Sequence, residues 1–191
     1  MSLMSRSSIL GALLMLVVTS GCSGISVNTD YDRAVDFSRL KSYAWREPAA
    51  SATAGGGAVS ELTHRRIRDA VDATLVARGF VLAAPPASAD FQVSYRAAVT
   101  REIEATPSYS AVGYGGWRGG AGGVEYVRTG TDVRTFNRGT LVIDLIDPRA
   151  SALVWCGTAT ATVHEDRTPE EREARIREAV SKILERFPPT K

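Results

Sequence analysis

The sequence predicts an α+β fold, a two-layer sandwich in which a mainly antiparallel sheet is covered on one face by two helices. Three stretches carry this prediction. Residues 139–163 have the pattern of a β-hairpin, and residues 60–79 and 168–187 each carry apolar side chains at helical spacing. The expected element order is β-β-α-β-β-β-β-α, and 191 residues are enough for one domain with a sizeable core.

The hairpin consists of two apolar runs joined by a turn that begins at Asp147-Pro148. Because side chains alternate along a strand, Trp155 is expected on the buried face, beside the small residue Gly157. A slip of one residue would turn Trp155 outward, so the faces of the hairpin are well determined. The cross-strand pairs expected on the buried face are Leu145 with Leu153, Ile143 with Trp155, and Leu141 with Gly157.

The N-terminus has the pattern of a bacterial lipoprotein signal. Arg6 precedes an apolar run over residues 9–18, which ends in Thr-Ser-Gly and then Cys22. The run is too short for a membrane-spanning helix, which needs about 20 apolar residues. We therefore expect residues 1–21 to be a signal peptide and residues 22–191 to form a single domain, anchored to a membrane by acyl chains on Cys22.

The second cysteine leaves an alternative open. If Cys22 is acylated, Cys156 is a small strand residue without a disulfide partner. If Cys22 is not acylated, an oxidising compartment would allow a disulfide between the two cysteines. A nucleophilic role for Cys156 is not expected, since no activating base lies near it in sequence.

Several spaced motifs resemble one known family. Residues 30–32 read Asp-Tyr-Asp, residues 36–38 Asp-Phe-Ser, and residues 41–45 Lys-Ser-Tyr-Ala-Trp. Residues 139–147 and 153–157 supply a Gly-Thr-Leu-Val-Ile-Asp core and a Leu-Val-Trp-Cys-Gly core. Together they resemble the bacterial envelope lipoproteins of domain-of-unknown-function family 4136. The resemblance implies a lipoprotein of unknown biochemical activity and supplies no catalytic residues; Cys156 stands where that family commonly has a polar residue.

Two helices are delimited by their termini. The first is expected to begin near Ser60 and to end at Gly79, with His64 at the edge of its apolar stripe as a solvated or helix-packing residue. The second is expected to begin after Thr168, where Glu171 completes a capping box. Its apolar stripe reaches Phe187.

The remaining strands are separated by loops. We expect strands over residues 25–32, 41–45, 90–99 and 124–136, and a turn at residues 137–139 that leads back into the hairpin. Loops rich in glycine and other small residues are predicted near residues 48–59 and 107–123. The second loop carries Tyr109, Tyr114 and Trp117. It is interpreted either as a mobile connection or as a contact loop that offers aromatic rings to a partner.

Composition and chemistry argue against several functions. The formal charge of +2 is spread along the chain, which does not favour nucleic acid as a partner. The tandem His164-Glu165-Asp166 does not place ligands on one face, so we expect a surface turn and no metal site. Asp144 is expected to pair with an arginine rather than to act as a general acid. We expect no cofactor.

Three classes of function remain at this stage. The preferred interpretation is a non-enzymatic binding or scaffolding module, lipid-anchored in the outer membrane and facing the periplasm, because Ser23 rather than aspartate follows the cysteine. Its expected partners are the membrane and either an envelope protein or peptidoglycan, with Tyr109, Tyr114 and Trp117 as the contact. The alternatives are a cell-wall or lipid hydrolase and a carrier of a small apolar ligand. A large apolar cavity between sheet and helices would favour the carrier.

Overall fold

The computed structural model describes residues 24–52, 59–112 and 126–189. Within these ranges the chain forms strands β1 (Ser26–Tyr31), β2 (Ser42–Ala52), β3 (Val81–Leu82), β4 (Phe91–Val112), β5 (Tyr126–Asp147) and β6 (Ala152–Val163). The two helices are α1 (Glu61–Ala77) and α2 (Pro169–Leu184). None of the helices in the described ranges is both long and apolar enough to cross a membrane. The expected signal peptide and Cys22 lie outside these ranges.

All six strands form one sheet in the order β1-β6-β5-β4-β2-β3. The pairs β1–β6, β6–β5 and β5–β4 are antiparallel, whereas β4–β2 and β2–β3 are parallel. Both helices pack on the same face of the sheet, with Val71 of α1 and Ile183 of α2 in one core cluster with Ile143. The predicted α+β sandwich is therefore confirmed, with a mixed sheet.

Aromatic rings fill the centre of the core. Phe187, just after α2, is fully buried and lies 5.4 Å from Trp155 and 5.6 Å from Phe91, measured between ring centroids. Gly157 lies beneath Trp155 and Ile183, and a Cβ atom at position 157 would collide with both side chains. A residue without a side chain is thus required where the tryptophan crosses β6, as the hairpin pattern predicted.

The helix ends follow the sequence signals. Ser60 caps α1 by accepting a hydrogen bond from the Thr63 amide at 3.3 Å. At the other end Gly79 adopts φ +88°, and Phe80 turns back to donate its amide to the Leu75 carbonyl at 3.0 Å. This is a Schellman motif, which a left-handed glycine permits. The capping box of α2 is also present.

The register of the β5–β6 hairpin differs from the prediction. Leu145 lies opposite Trp155 and Ile143 opposite Gly157, because a bulge shifts the register so that Ile146 faces Leu153. The extra residue in β6 is Val154, which is buried, while Leu153 is 54% exposed. The expected faces of Trp155 and Gly157 are confirmed, but the predicted burial of Leu153 is wrong, since a bulge reverses side-chain alternation beyond it.

Strand lengths also differ from the prediction. Residues 137–139 form no turn, because β5 passes straight through them and pairs continuously with β4 from Ile146 to Tyr126. Strands β2 and β4 run to residues 52 and 112, into segments predicted as loops. The predicted element order is matched only because two predicted strands merge into β5 while Val81–Leu82 adds an unpredicted one.

Candidate ligand-binding groove

A groove of about 450 Å³ opens between the sheet and the N-terminal halves of both helices. Its volume lies within the range of roughly 300–1,000 Å³ that is usual for small-molecule sites. The walls include apolar side chains from α1, α2 and three strands. The principal apolar contributors are Ile25, Ile67, Val99, Leu141, Ala159 and Ile176.

The groove exists because side chains on the helix-facing side of the sheet become smaller toward one end. At the centre this side carries Tyr95, Ile143 and Trp155, all fully or almost fully buried. Two to six residues farther along the same strands, it carries Ala97, Gly139 and Ala161, which line the groove. The helices continue over both regions, so the smaller side chains leave open space beneath them.

Glycine at position 139 has a packing role in this floor. A Cβ atom there would lie 2.7 Å from the Cγ2 atom of Val163, so any larger residue would displace that side chain. Val163 itself lines the groove. Gly139 therefore allows the Val163 side chain to lie close to the β5 backbone inside a continuous sheet. It does not form the predicted turn.

Charged side chains form one rim of the groove. Three arginines and one glutamate line it: Arg167, Arg172, Arg175 and Glu165. Arg175 binds the Glu178 carboxylate at 2.9 Å, whereas Arg172 donates to the backbone carbonyl of Glu165 at 2.8 Å. Within the described part of the chain, Arg167 and Arg172 have no carboxylate partner. The rim therefore carries excess positive charge beside an apolar floor.

A second polar cluster holds α1 on the sheet. Asp72 accepts hydrogen bonds from the Tyr43 hydroxyl at 2.8 Å and from Trp45 Nε1 at 3.0 Å. Burial, and then the hydrogen bond to Asp72, raises the pKa of Tyr43 well above its ordinary value. The Arg68 guanidinium lies 4.7 Å from the centroid of the Trp45 ring. Tyr43 stays protonated, and the Asp72 carboxylate is already bound by two donors. We therefore interpret this cluster as structural.

His64 belongs to the same interface. Its Nδ1 atom lies 3.0 Å from the hydroxyl of Tyr95, and that hydroxyl donates to the His64 backbone carbonyl at 3.2 Å. Burial raises the pKa of Tyr95. Of the two environments expected for His64, solvated or helix-packing, the structure shows the second.

The opposite face of the sheet brings Asp144 and Cys156 together. The two residues are cross-strand neighbours, and Arg96 binds Asp144 Oδ2 at 2.9 Å. The predicted arginine pair of Asp144 is confirmed. Burial, and then the adjacent Asp144 carboxylate, raises the pKa of the Cys156 thiol to about 11. Only a thiolate is strongly nucleophilic, so Cys156 is a poor nucleophile near neutral pH.

The remaining predicted site residues are placed as follows. Tyr109 lies in β4 opposite Thr129 of β5, while Tyr114 and Trp117 lie outside the described residues, as does Cys22. His164, Glu165 and Asp166 lie in the predicted exposed turn, and His164 and Glu165 line the groove. No group of three possible metal ligands occurs within the described residues.

Comparison with known proteins identifies the family. The family model described as domain of unknown function DUF4136 matches residues 27–189, which is most of the chain. The chain belongs to the DUF4136 family. The resemblance noted in the sequence motifs is thereby confirmed for the domain. The comparison with curated proteins finds no match for this DUF4136 protein.

Several solved structures are similar to this chain at low sequence identity, and one of them reaches a TM-score of 0.50. A PDZ domain protein from Parabacteroides distasonis aligns over 87% of this chain with a TM-score of 0.50 and 15% identity, and the chain spans 37% of its length. A DUF4136 family protein from Bacteroides thetaiotaomicron gives a TM-score of 0.49 and 16% identity over 86% of this chain and 96% of its own. A PelC dodecamer from Paraburkholderia phytofirmans gives a TM-score of 0.42 and 14% identity. The alignment covers 84% of this chain and 94% of the PelC chain.

Sequence reasoning missed the groove of this DUF4136 protein. None of Arg167, Arg172 and Arg175 stands out in the sequence as a ligand-binding residue. One signal was present: helix-facing strand positions change from bulky to small side chains between Tyr95 and Ala97 and again between Ile143 and Gly139. That change marks a place where the core cannot be filled, but only the positions of the helices make it a groove.

Proposed function

We propose that this DUF4136 protein is a membrane-anchored envelope lipoprotein that acts as a non-enzymatic binding module. Its groove takes a small amphipathic anion, an acyl chain that carries a carboxylate or phosphate group. The observation that carries this proposal is the combination of an apolar floor and a rim with three arginines and one glutamate. An acyl chain would replace water on the floor, while Arg167 and Arg172 would face the head group.

The short distance in sequence between the expected acylation site and the groove supports a lipid-derived ligand. Ile25 lines the groove, and the expected acylation site Cys22 lies only three residues earlier. Three residues span at most about 11 Å even when fully extended. If Cys22 carries the anchor, the groove lies close to the membrane, where amphipathic lipids are concentrated.

The chemistry of the described side chains favours binding over turnover. Cys156 is held protonated, Asp144 is paired with Arg96, and His64 is engaged by Tyr95. Cys156, Asp144 and His64 therefore do not combine into a nucleophile, a base and an orienting group at the groove. Hydrolysis of an acyl ester by the purified protein would contradict the proposal.

Binding of a fluorescent fatty acid tests the proposal. A chain that starts at residue 23, purified without detergent so that the groove stays free, should bind the probe saturably with one site. Ala161→Phe should abolish this binding by filling the groove, because Ala161 lines it. Arg172→Gln should weaken binding about tenfold, as expected for loss of one charge-assisted hydrogen bond.

Matched controls separate the two halves of the site. Arg177→Gln changes the same residue type on α2, but Arg177 pairs with Glu173 and does not line the groove, so its variant should bind like the wild type. A long-chain alcohol should compete more weakly than the acid of the same length. Equal competition would refute the role of the arginines, and unchanged binding by Ala161→Phe would refute the groove.

A further inference from the structure

Strands β4 and β5 extend beyond the rest of the sheet as a two-stranded arm. Strand β6 pairs with β5 only as far as Asn137, and β2 pairs with β4 only as far as Ala97. The pairing of β4 with β5 nevertheless continues to Val112 and Tyr126. Two-stranded ribbons are only marginally stable in water without further strands or a covering layer. A surface that covers one face of the arm would therefore stabilise it.

The two faces of the arm carry different side chains. Because side chains alternate along a strand, the face that continues the groove floor beyond Val99 and Gly139 carries the odd-numbered residues of both strands. We call it the apolar face of the arm. Most of its side chains are aliphatic or small: Ile103, Ala105, Pro107, Thr131, Val133 and Thr135.

Ile103 and Val133 form one exposed patch on this face. Ile103 lies opposite Thr135, and Val133 lies opposite Ala105, so the two large side chains are diagonal neighbours across the strands. Ile103 is 70% exposed and Val133 is 59% exposed. The patch is therefore open to a partner.

Charge is divided between the two faces of the arm. Within residues 100–108 and 130–138, carboxylates occur only on the face opposite the patch, as Glu102, Glu104 and Asp132. Two of these carboxylates are bound by arginines of the same face, at 2.7 Å for Glu102 and 3.2 Å for Asp132. The one charged residue of the apolar face in these ranges is Arg101, which has no carboxylate partner among the described residues. The apolar face thus carries net positive charge.

Arg101 continues the positive rim of the groove. It lies opposite Asn137, which lines the groove and donates to Glu165 Oε1 at 2.7 Å. Arg101 therefore stands between the groove, with Arg167 and Arg172 on its rim, and the exposed patch on the arm. Aliphatic side chains enter the acyl region of a bilayer, while neighbouring arginines meet the phosphates. This order of groups fits an anionic lipid surface.

We propose that the apolar face of the arm lies on an anionic lipid bilayer. Ile103 and Val133 enter the acyl region, and Arg101 lies at the level of the phosphates. The carboxylates of the opposite face stay in water, away from the negative surface. The contact requires neither an acyl group on Cys22 nor a ligand in the groove, so it can fail or hold independently of the proposed ligand binding.

Quenching of a fluorophore by lipid tests which face meets the bilayer. The full-length protein is reconstituted in phosphatidylglycerol vesicles that contain a nitroxide-labelled lipid, in a Cys156→Ser background. A fluorophore on Ile103→Cys should lose most of its emission. A fluorophore on Glu104→Cys is the matched control, since the next residue lies on the opposite face, and it should lose little. Equal quenching at both positions, or none at position 103, would overturn the proposal.

Sedimentation with vesicles separates the arm from the acyl anchor. A chain that starts at residue 23 should sediment with phosphatidylglycerol vesicles. Ile103→Thr with Val133→Thr keeps β-branched residues in the strands and should weaken this binding about tenfold. Val76→Thr with Val81→Thr is the matched control, because these valines are 57% and 65% exposed but lie outside the arm. That variant should bind like the wild type, and equal weakening by both pairs would refute the arm.

Two further variants test the charge and the groove. Arg101→Gln should weaken binding to phosphatidylglycerol vesicles about fivefold and leave binding to neutral phosphatidylcholine vesicles unchanged. Ala161→Phe, which fills the groove, should bind vesicles like the wild type; a loss would assign the contact to the groove. A wild-type chain that forms dimers and does not sediment with vesicles would assign the arm to a second copy and overturn the proposal.

Discussion

Trp155 determines how β6 meets the helices. Its ring is fully buried, lies 5.4 Å from the Phe187 ring and passes over Gly157, where no side chain fits. The contact thus depends on two residues of opposite size, two positions apart on one face of a strand. Ile183 of α2 packs on the same glycine and completes the contact.

Replacing Trp155 by alanine should lower the free energy of unfolding by about 3–5 kcal/mol, the usual cost of emptying a buried aromatic site. Leu153→Ala is the matched control on the same strand, because Leu153 is 54% exposed. That change should cost less than about 0.5 kcal/mol. Urea denaturation measures both. Similar losses for the two variants would contradict the assignment of the β6 faces.

Asp90 joins the starts of β2 and β4. Its Oδ2 atom accepts from the Lys41 amide at 2.9 Å, and from the amide and hydroxyl of Ser42 at 2.9 and 2.8 Å. These bonds, led by the Lys41 amide, hold the pKa of Asp90 below its ordinary value of 3.8. Its stabilising contribution is therefore complete above that ordinary value and is lost as the pH falls through the lowered pKa.

Asp90→Asn should consequently destabilise the protein at pH 7 by about 1 kcal/mol, a value discounted for solvent exposure. The difference from the wild type should shrink as the pH falls below 3.8 and through the lowered pKa of Asp90, because protonation then removes the same charge from the wild type. Asp166→Asn is a control, since Asp166 is exposed and has no hydrogen bond within the described residues. The test is to measure the urea midpoints of both proteins at pH 7 and at acidic pH. A difference between the two proteins that stays constant with pH would contradict the charge effect.

At the scale of elements, the β4–β5 arm is the least expected feature. Its two strands each have 22 residues, whereas the sequence suggested shorter strands interrupted by a turn at residues 137–139. The arm carries Tyr109 toward its far end, opposite Thr129. The aromatic residues interpreted as a partner contact therefore begin on a strand and continue into residues outside the described ranges.

Replacing Tyr109, Tyr114 and Trp117 together by serine should leave thermal stability nearly unchanged, because these residues are expected to contribute to partner recognition and little to the core. The same variant should lose the envelope partners that are captured by cross-linking of the wild type. A control with serine at exposed apolar positions elsewhere should keep them. Those control positions are Leu62, Val76 and Leu153. Persistence of the partners in the aromatic variant would identify the segment as a connection only.

At the scale of the whole molecule, the first described residues lie at the groove. Gly24 and Ile25 lead into β1, and Ile25 lines the groove. We therefore expect the domain to present the groove toward the membrane once Cys22 is acylated. Stable anchoring requires more than one acyl chain, since a single chain gives only marginal attachment.

Metabolic labelling with a fatty-acid probe should mark the wild-type protein and leave Cys22→Ser unmarked. Cys156→Ser is the matched control and should be labelled like the wild type, because its thiol is half-buried and protonated. Fractionation should place the labelled protein in the outer membrane. Label on Cys22→Ser, or an unlabelled wild type recovered in the soluble fraction, would contradict acylation at this cysteine.

Local signals in the sequence were enough to determine the fold class, both helices with their caps, and the buried face around Trp155 and Gly157. Each of these depends on residues a few positions apart, whose spacing is visible in one chain. The β5–β6 register, the parallel pairing of β2 with β4, and the unbroken course of β5 through Gly139 were decided only by tertiary structure. Alternation determines which face a side chain occupies, but not which strand it meets or where a bulge reverses it. The groove was likewise decided only by tertiary structure, because its space arises where two helices pass over small residues of three different strands.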